Sequence, residues 1–356
     1  MKREPHEVLR GPGADITVAP LRAADATAWE RFVEHCPEAT FFHRLGWQRL
    51  LERVLKHRTH YLLAWQGDEV AGVLPLAQVR SRLFGHSLSS LPFCVYGGAA
   101  CSVPAARAAL HAAAIRLAHD LQVDHLELRN LEAREPQWPR QDLYVTFRRP
   151  LSADEDANLQ AIPRKQRAMV RKAMKAGLRS EVQDHVRDFY PLYADNVHRH
   201  GTPPMSRRWF EALLSEFEDA CRVLTVFDVG GEPVSTVLAL RFRDEVLPYY
   251  AGDTVRAREL AANDFKYWEL MRLAAPWGCR VFDYGRSKRG TGSFDFKKNW
   301  GFPPAPLHYE YHLVRGAGVP QNNPSNPKYR LLIGAWRRLP RPVANVLGPH
   351  LVRALG

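Results

Sequence analysis

The chain has 356 residues, and its 46% hydrophobic and 25% charged content is that of an ordinary globular protein, which excludes a fibrous, disordered or membrane-spanning class. Fifty basic against 38 acidic residues leave a formal net charge of +12, pointing to polyanionic company: RNA, anionic lipid or phosphorylated substrates. The five cysteines are odd in number and show no CxxC spacing, so neither a disulfide framework nor a zinc site is indicated, and neither cofactor nor metal is expected. The N-terminal MKREPHEVLRGPGAD lacks the apolar core of a signal peptide, and no stretch approaches the ~18 apolar residues of a membrane span. The expectation is a reduced, cytoplasmic monomer whose membrane contact, if any, is peripheral at the inner membrane.

In chain order, residues 16–18 read as a first strand, and 26–35 and 45–55 have helical periodicity. Residues 61–65 and 70–79, around Gly67-Asp68, read as a β-hairpin. PFCVYGG at 92–98, with Tyr96, either lines a cleft or caps a core. Pro104 opens an alanine-rich helix to about Leu121; strands follow at 125–128 and 143–147. Pro163 opens the basic helix 164–176, stopped by Gly177. It carries Arg164, Lys165, Arg167, Arg171, Lys172 and Lys175 without an acid, either as a solvated face or as a phosphate- or RNA-facing one. Helices at 186–200 and 206–217, the second capped by Ser206, flank the loop HGTPPM. Residues 222–228, 234–243 and 246–250 alternate as an antiparallel meander; a helix capped by Asn263 and strands at 280–284 and 307–314 follow. His198 and His200 stand two apart, a spacing that suits no single metal site. The tail from Pro324 mixes cations with apolar residues and is cut by prolines into short segments; it either lies on an anionic membrane or packs back on the domain.

GDEVAGVLPL at 67–76 aligns without gaps with GEPVSTVLAL at 231–240. WQRLL at 47–51 and WFEALL at 209–214 precede the two hairpins, and a helix and then a strand follow both. Such long-period recurrence signals a duplicated domain. The expected fold is α/β (α+β): two tandem acetyltransferase-like domains, each a mostly antiparallel sheet flanked by helices, over 1–150 and 151–315, with a basic tail at 316–356.

FDYGRSKRGTGSFDFKKNWG, residues 282–301, concentrates chemistry. Its glycines let backbone N–H groups approach oxygens, and its cations supply mobile charge, so it reads either as a ligand loop for an anion or as a solvated surface loop. It is not a P-loop: Thr291 stands where the lysine belongs.

AGD at 251–253, NDFKYWELMRLAAPWGCRVFDYG at 263–285 and FDFKKNWG at 294–301 together resemble the closing module of the FemA/FemB/FemX family, peptidyltransferases that add amino acids from aminoacyl-tRNA to cell-wall precursors. Phe296, Lys297, Trp300 and Gly301 match its Phe-Lys-x-x-Phe-Gly motif with Trp for Phe, and FFHRLGWQRLL is similar to its aromatic segment before the first helix. The RHGTPP segment and basic tail resemble the FemAB-related branch associated with exosortase/PEP-CTERM systems. The resemblance implies transfer of an aminoacyl group to an amine, with aminoacyl-tRNA as donor and a phosphorylated or lipid-linked envelope or exopolysaccharide precursor as acceptor. It implies Lys297 for charge stabilisation, with Tyr250, Asp253 and Asp283 as further catalytic candidates, the two carboxylates reading either as proton acceptors or as structural turn or helix caps. Arg286, Ser287, Lys288, Lys298, Trp300, Tyr96, Arg164 and Lys165 are the substrate-binding candidates. In an extended segment Lys297 and Lys298 point to opposite faces, as do Tyr249 and Tyr250, and only one of each pair meets the cleft. The pyrophosphate-loop position of a CoA-dependent acetyltransferase is RARELAAN here, without glycine, which favours aminoacyl-tRNA over acyl-CoA.

Overall fold

The computed structural model describes residues 16–81, 84–316, 318–320 and 333–355; the N-terminal segment 1–15 and part of the expected tail, 321–332, lie outside the described residues. The chain divides into two compact units. One comprises residues 1–142 with 307–320 and 354–356, the other residues 143–306 with 321–353.

The first unit has two sheets instead of the single sheet expected. One orders Ile16–Pro20, Leu62–Gln66, Glu69–Leu74 and Ala100–Cys101; the other orders Arg58–Thr59, Ala77–Ser81, Gly85–Ser89, His125–Asn130, His308–Leu313 and Arg140–Gln141. The break falls at Pro75, which has no N–H to give a ladder, so the long second hairpin strand expected over 70–79 ends at Leu74. Helix Pro104–Asp120 starts with proline in its first turn and buries Ala106, Leu110, Ala114 and Ala118, an i, i+4 stripe packed in one core with Leu62, Ala64, Leu126 and Leu128. The loop 90–98 is core-lining. Arg129 donates to the carbonyls of Leu91 (3.2 Å) and Cys94 (2.9 Å), Tyr309 Oη donates to that of Val95 (2.8 Å), and Tyr96 is buried edge-on to Phe42. Tyr96 is therefore a packing residue of the first unit.

The second unit is built on one eight-stranded sheet. Its order is Arg179–Gln183, Cys221–Phe227, Pro233–Phe242, Glu245–Asp253, Val281–Asp283, Tyr144–Pro150 and Ser287–Lys288, with Pro304–Pro306 also paired to Tyr144–Pro150. Every pairing is antiparallel except Glu245–Asp253 with Val281–Asp283. Helices Arg164–Lys175 and Ala262–Ala274 bury Val170, Ala173, Trp268 and Met271 in the same core as Leu224, Val237 and Phe282. Helix Arg207–Phe217 opens as the sequence predicts, with Ser206 Oγ accepting from the Trp209 amide at 3.1 Å.

The boundary expected at 150 lies at 142 because Tyr144–Pro150 pairs with Val281–Asp283, and His308–Leu313, expected to end the second domain, pairs with His125–Asn130 of the first unit. The repeat is realised in geometry: Gly67 (φ +61°) and Gly231 (φ +83°) both sit in left-handed turns ahead of the strands Glu69–Leu74 and Pro233–Phe242.

Gly252 marks a close helix-to-sheet approach in this unit. A Cβ there would lie 2.5 Å from the backbone of Leu192 and of Tyr193, in helix Phe189–His200, where no side-chain rotation relieves it. Gly252→Ala is expected to lower unfolding stability by about 1–3 kcal/mol as an overpacking change, read from the midpoint of urea denaturation at unchanged slope.

Candidate functional site

The site is framed by a divergence of strands. Glu245–Asp253 pairs with Pro233–Phe242 along its whole length, with a bulge that leaves Tyr249 out of register between Pro248 and Tyr250. On its other edge it meets Val281–Asp283 through only two residue pairs, Glu245 with Val281 and Val246 with Phe282. Val281–Asp283 is then carried away by Tyr144–Pro150, with Arg148 opposite Asp283 and Arg149 opposite Phe282. Arg148 straps the base of the resulting V: its guanidinium bonds Glu245 and lies 3.8 Å from Asp283 Oδ2. Burial pushes the Glu245 carboxyl upward, with Arg148 opposing. Beyond Val246, strand Glu245–Asp253 pairs with no strand on this edge among the described residues, and the divergence opens a wedge.

Asp253 stands at the open end of the V. Its Oδ1 accepts from Lys266 Nζ at 2.8 Å and from Ser235 Oγ, while Arg199 donates to its main-chain carbonyl. Lys266 is 0% exposed and Asp253 is 26% exposed, so the pair joins a fully buried ammonium to a carboxylate that still reaches solvent. Lys266 escaped the sequence reading. Its signal was a lysine among Phe265, Trp268 and Leu270 on a helix whose neighbours are nearly all buried. Tyr250 belongs to an aromatic cluster with Tyr193, Phe210 and Tyr249, and its hydroxyl accepts from Trp209 Nε1 at 3.3 Å.

On the other arm, Asp283 is buried. Its Oδ1 accepts from the Gly285 amide (2.7 Å) and from Thr146 Oγ1 (3.2 Å), a turn-capping geometry that fixes Gly285 at φ +64°. Lys297 lies not on an extended segment but on helix Gly292–Asn299, capped by Thr291 Oγ1, so Lys297 and Lys298 are about 100° apart: Lys297 is buried and Lys298 exposed. The Lys297 ammonium donates to three carbonyls, those of Tyr284 (2.7 Å), Gly285 (3.1 Å) and Arg286 (3.1 Å). All three N–H groups are thereby spent on the backbone of the turn, which makes Lys297 a positioning residue for residues 284–286 in this structure. Burial pushes its pKa down to about 7, with Asp283 opposing and Arg286 adding.

The remaining candidates divide. Trp300 is core: fully buried, it donates Nε1 to Asp264 Oδ1 at 2.9 Å, and burial pushes that carboxyl upward. Arg286 is exposed with its guanidinium over the Tyr144 ring at 4.5 Å, and Lys288 is half-buried. Ser287 is buried with no hydrogen-bond partner for its Oγ among the described residues, as is the Tyr284 hydroxyl. Arg164 and Lys165 are exposed at the start of helix Arg164–Lys175. Helix Ala262–Ala274 starts one residue before Asn263, and Ala261 ahead of it is held at φ +54°, ψ +29°. No group of three or more metal-ligating side chains occurs among the described residues.

Residues 164–298 match the family model of the acetyltransferase (GNAT) domain. FemX matches in structure with a TM-score of 0.63 at 13% identity, over 89% of this chain and 99% of its own. A tandem GNAT protein from the clavulanic acid biosynthesis pathway matches at TM-score 0.55 and 13% identity, over 85% and 100%. The C-terminal domain of an Agrobacterium fabrum protein assigned as a lysylphosphatidylglycerol synthetase matches at 0.55 and 11%, over 81% and 92%. No curated protein matches the sequence. The fold is thus a tandem of acetyltransferase-like units, and the matched domain lies within the second.

Lys297 supplies a stability test with a definite sign. Its folded pKa of about 7 lies below the ordinary lysine value of 10.5, so between the two the unfolded chain binds more protons and stability rises with pH. Wild-type stability is expected to increase from pH 7 to 9, and Lys297→Met to flatten that rise while speeding amide exchange at residues 284–288, read by denaturation series and hydrogen-exchange mass spectrometry.

Proposed function

We propose that the protein is an acyltransferase of the Fem type that moves an aminoacyl group from aminoacyl-tRNA to an amine on a phosphorylated or lipid-linked envelope or exopolysaccharide precursor. The observation that carries the reading is the V between Glu245–Asp253 and Val281–Asp283, within the stretch that matches an acetyltransferase domain. In the reaction the acceptor amine attacks the ester carbonyl, a C–N bond forms, the ester C–O bond breaks, and the ribose oxygen leaves with a proton. Asp253, with Oδ1 fixed by Lys266 and Ser235 and its side chain reaching solvent, takes the proton the amine loses. Tyr250 lines the same strand. Arg286 and Lys288 face the anionic parts of the reactants from the far arm, and Arg164 and Lys165 extend the positive surface for RNA.

The donor is read from the start of helix Ala262–Ala274. The segment RARELAAN that leads into this helix lacks the glycines with which a CoA-dependent acetyltransferase cradles the CoA diphosphate, which supports the tRNA donor. The acceptor class, and the exosortase-associated setting, rest on the sequence resemblance to the Fem family.

The test is paired. With amino acid-labelled tRNA as donor and purified envelope precursor as acceptor, wild-type protein should form an amide-linked product, whereas acetyl-CoA should yield none; the reverse outcome replaces tRNA by CoA. Asp253→Glu keeps the partner of Lys266 while shifting the carboxylate. It is expected to cost about 100-fold or more in kcat with tRNA affinity unchanged, and full activity in that variant would remove Asp253 from the reaction. Binding of charged tRNA should weaken steeply between 50 and 200 mM salt, roughly one unit of log–log slope per phosphate contact, and Arg164→Ala with Lys165→Ala should lower that slope.

A further inference from the structure

The C-terminal helix Arg341–Leu355 contradicts the expectation of short, proline-cut segments: it runs through Pro349, with Pro342 in its first turn. One face is docked. Ala344 and Val352 are buried, and Gly348 sits so close to Pro204 that a Cβ would lie 2.4 Å from its ring. Arg341 pairs with Asp195 at 2.5 Å, and the preceding Arg337 donates to the His200 carbonyl at 3.1 Å. The helix is thereby clamped onto helix Phe189–His200 and the following Gly-Thr-Pro-Pro loop.

The opposite face is open, apolar in its first turns, with His350 exposed beyond them. Val343 (42% exposed), Val346 (67%) and Leu347 (45%) fall within one turn, and Arg353 continues the stripe. Arg338 is exposed just ahead of the helix, and from residue 316 to 356 the sequence has no acidic residue. No helix among the described residues is long and apolar enough to cross a membrane.

From this combination we propose that the helix is a fixed interfacial foot that seats the protein on an anionic lipid bilayer. Val343, Val346 and Leu347 enter the headgroup–acyl boundary, and Arg338 and Arg353 meet the lipid phosphates. Apolar residues on a rigid, docked helix need no ordering on binding, and the acid-free basic flank matches the charge of phosphatidylglycerol-rich surfaces. An RNA partner would use the arginines and leave the three aliphatic side chains in water. The inference is independent of which acyl group the enzyme transfers.

The experiment is co-sedimentation of the full-length protein with vesicles of phosphatidylcholine alone or with about one-third phosphatidylglycerol, whose negative surface attracts basic segments. Wild type should pellet with the anionic vesicles only. Val346→Asp with Leu347→Asp should reduce that binding about tenfold or more, and Arg338→Ala with Arg353→Ala should reduce it by a similar factor. Circular dichroism melts of both variants should match wild type, because the substituted side chains are exposed. Failure of wild type to bind anionic vesicles overturns the proposal, as does full vesicle binding by the aspartate variant. A response to the arginine pair but not the aspartate pair, with competition by bulk tRNA, would assign the face to nucleic acid. A dimer in sedimentation velocity that the aspartate variant dissolves would assign it to a second copy.

Discussion

Two ladder pairs, Glu245 with Val281 and Val246 with Phe282, are all the strand pairing that joins the halves of the second unit's sheet among the described residues, backed at the turn by the Arg280 and Val281 amides donating to the Asp244 carbonyl. Everything proposed for the site depends on that join being short and firm. A longer ladder would close the wedge, and none would let the arms separate. Firmness comes from the side. Tyr144–Pro150 takes the far edge of Val281–Asp283, and Arg148 reaches across it to Glu245 and Asp283. The segment entering the unit from residue 143 therefore sets the angle of the cleft, which is why the unit boundary precedes this strand.

Two buried lysines then fix the arms by different chemistry. Lys266 neutralises its charge against Asp253, and removing Asp253 would strand the fully buried ammonium in a medium where an unpaired ion costs about 3–5 kcal/mol. Lys297 has no carboxylate in direct contact among the described residues and is held by carbonyl dipoles, which satisfy its donors without cancelling its charge. Burial accordingly lowers its pKa toward neutrality, although Asp283 opposes the shift. Lys266 thus orients a carboxylate at the mouth of the cleft, while Lys297 shapes the backbone turn opposite. A substitution of Lys297 releases the carbonyls of residues 284–286, so loss of activity there would not by itself place its ammonium on a reactant.

The meander, the Ser206-capped helix and the repeat were legible because each has a local cause: apolar runs between turn residues for Cys221–Phe227 and Pro233–Phe242, a serine cap for Arg207–Phe217, a turn glycine at 67 and 231. Strand partnership was not, since the residues of Tyr144–Pro150 and His308–Leu313 say that they are strands but not which sheet they join. In the stretch 282–301, the geometry of the lysines was not legible. Thr291 as a cap turns FDFKK into a helix, and that rotation buries Lys297 rather than presenting it. Trp300 and Tyr96 read as ligand contacts because aromatic residues serve pockets and cores alike, and only packing distinguishes the two.

The duplication also explains why the open wedge lies in the second copy. Where the gapless alignment sets Ala239, the first copy has Pro75; the second copy's strand runs on to Phe242, the first copy's stops at Leu74 and the chain restarts in another sheet. The first unit has its own parallel pair, Gly85–Ser89 with His125–Asn130, joined through three residues. Beyond Ser89, however, its own loop fills the divergence. The Ser90 amide donates to the Glu127 carbonyl, the Gly97 and Gly98 amides donate to that of Arg129, and the Arg129 side chain reaches back to Leu91 and Cys94. The strand-edge groups that a ligand would need there are satisfied internally. Duplication therefore yields one wedge closed by its own chain and one whose upper edge, from Leu247 to Asp253, has no strand beside it among the described residues.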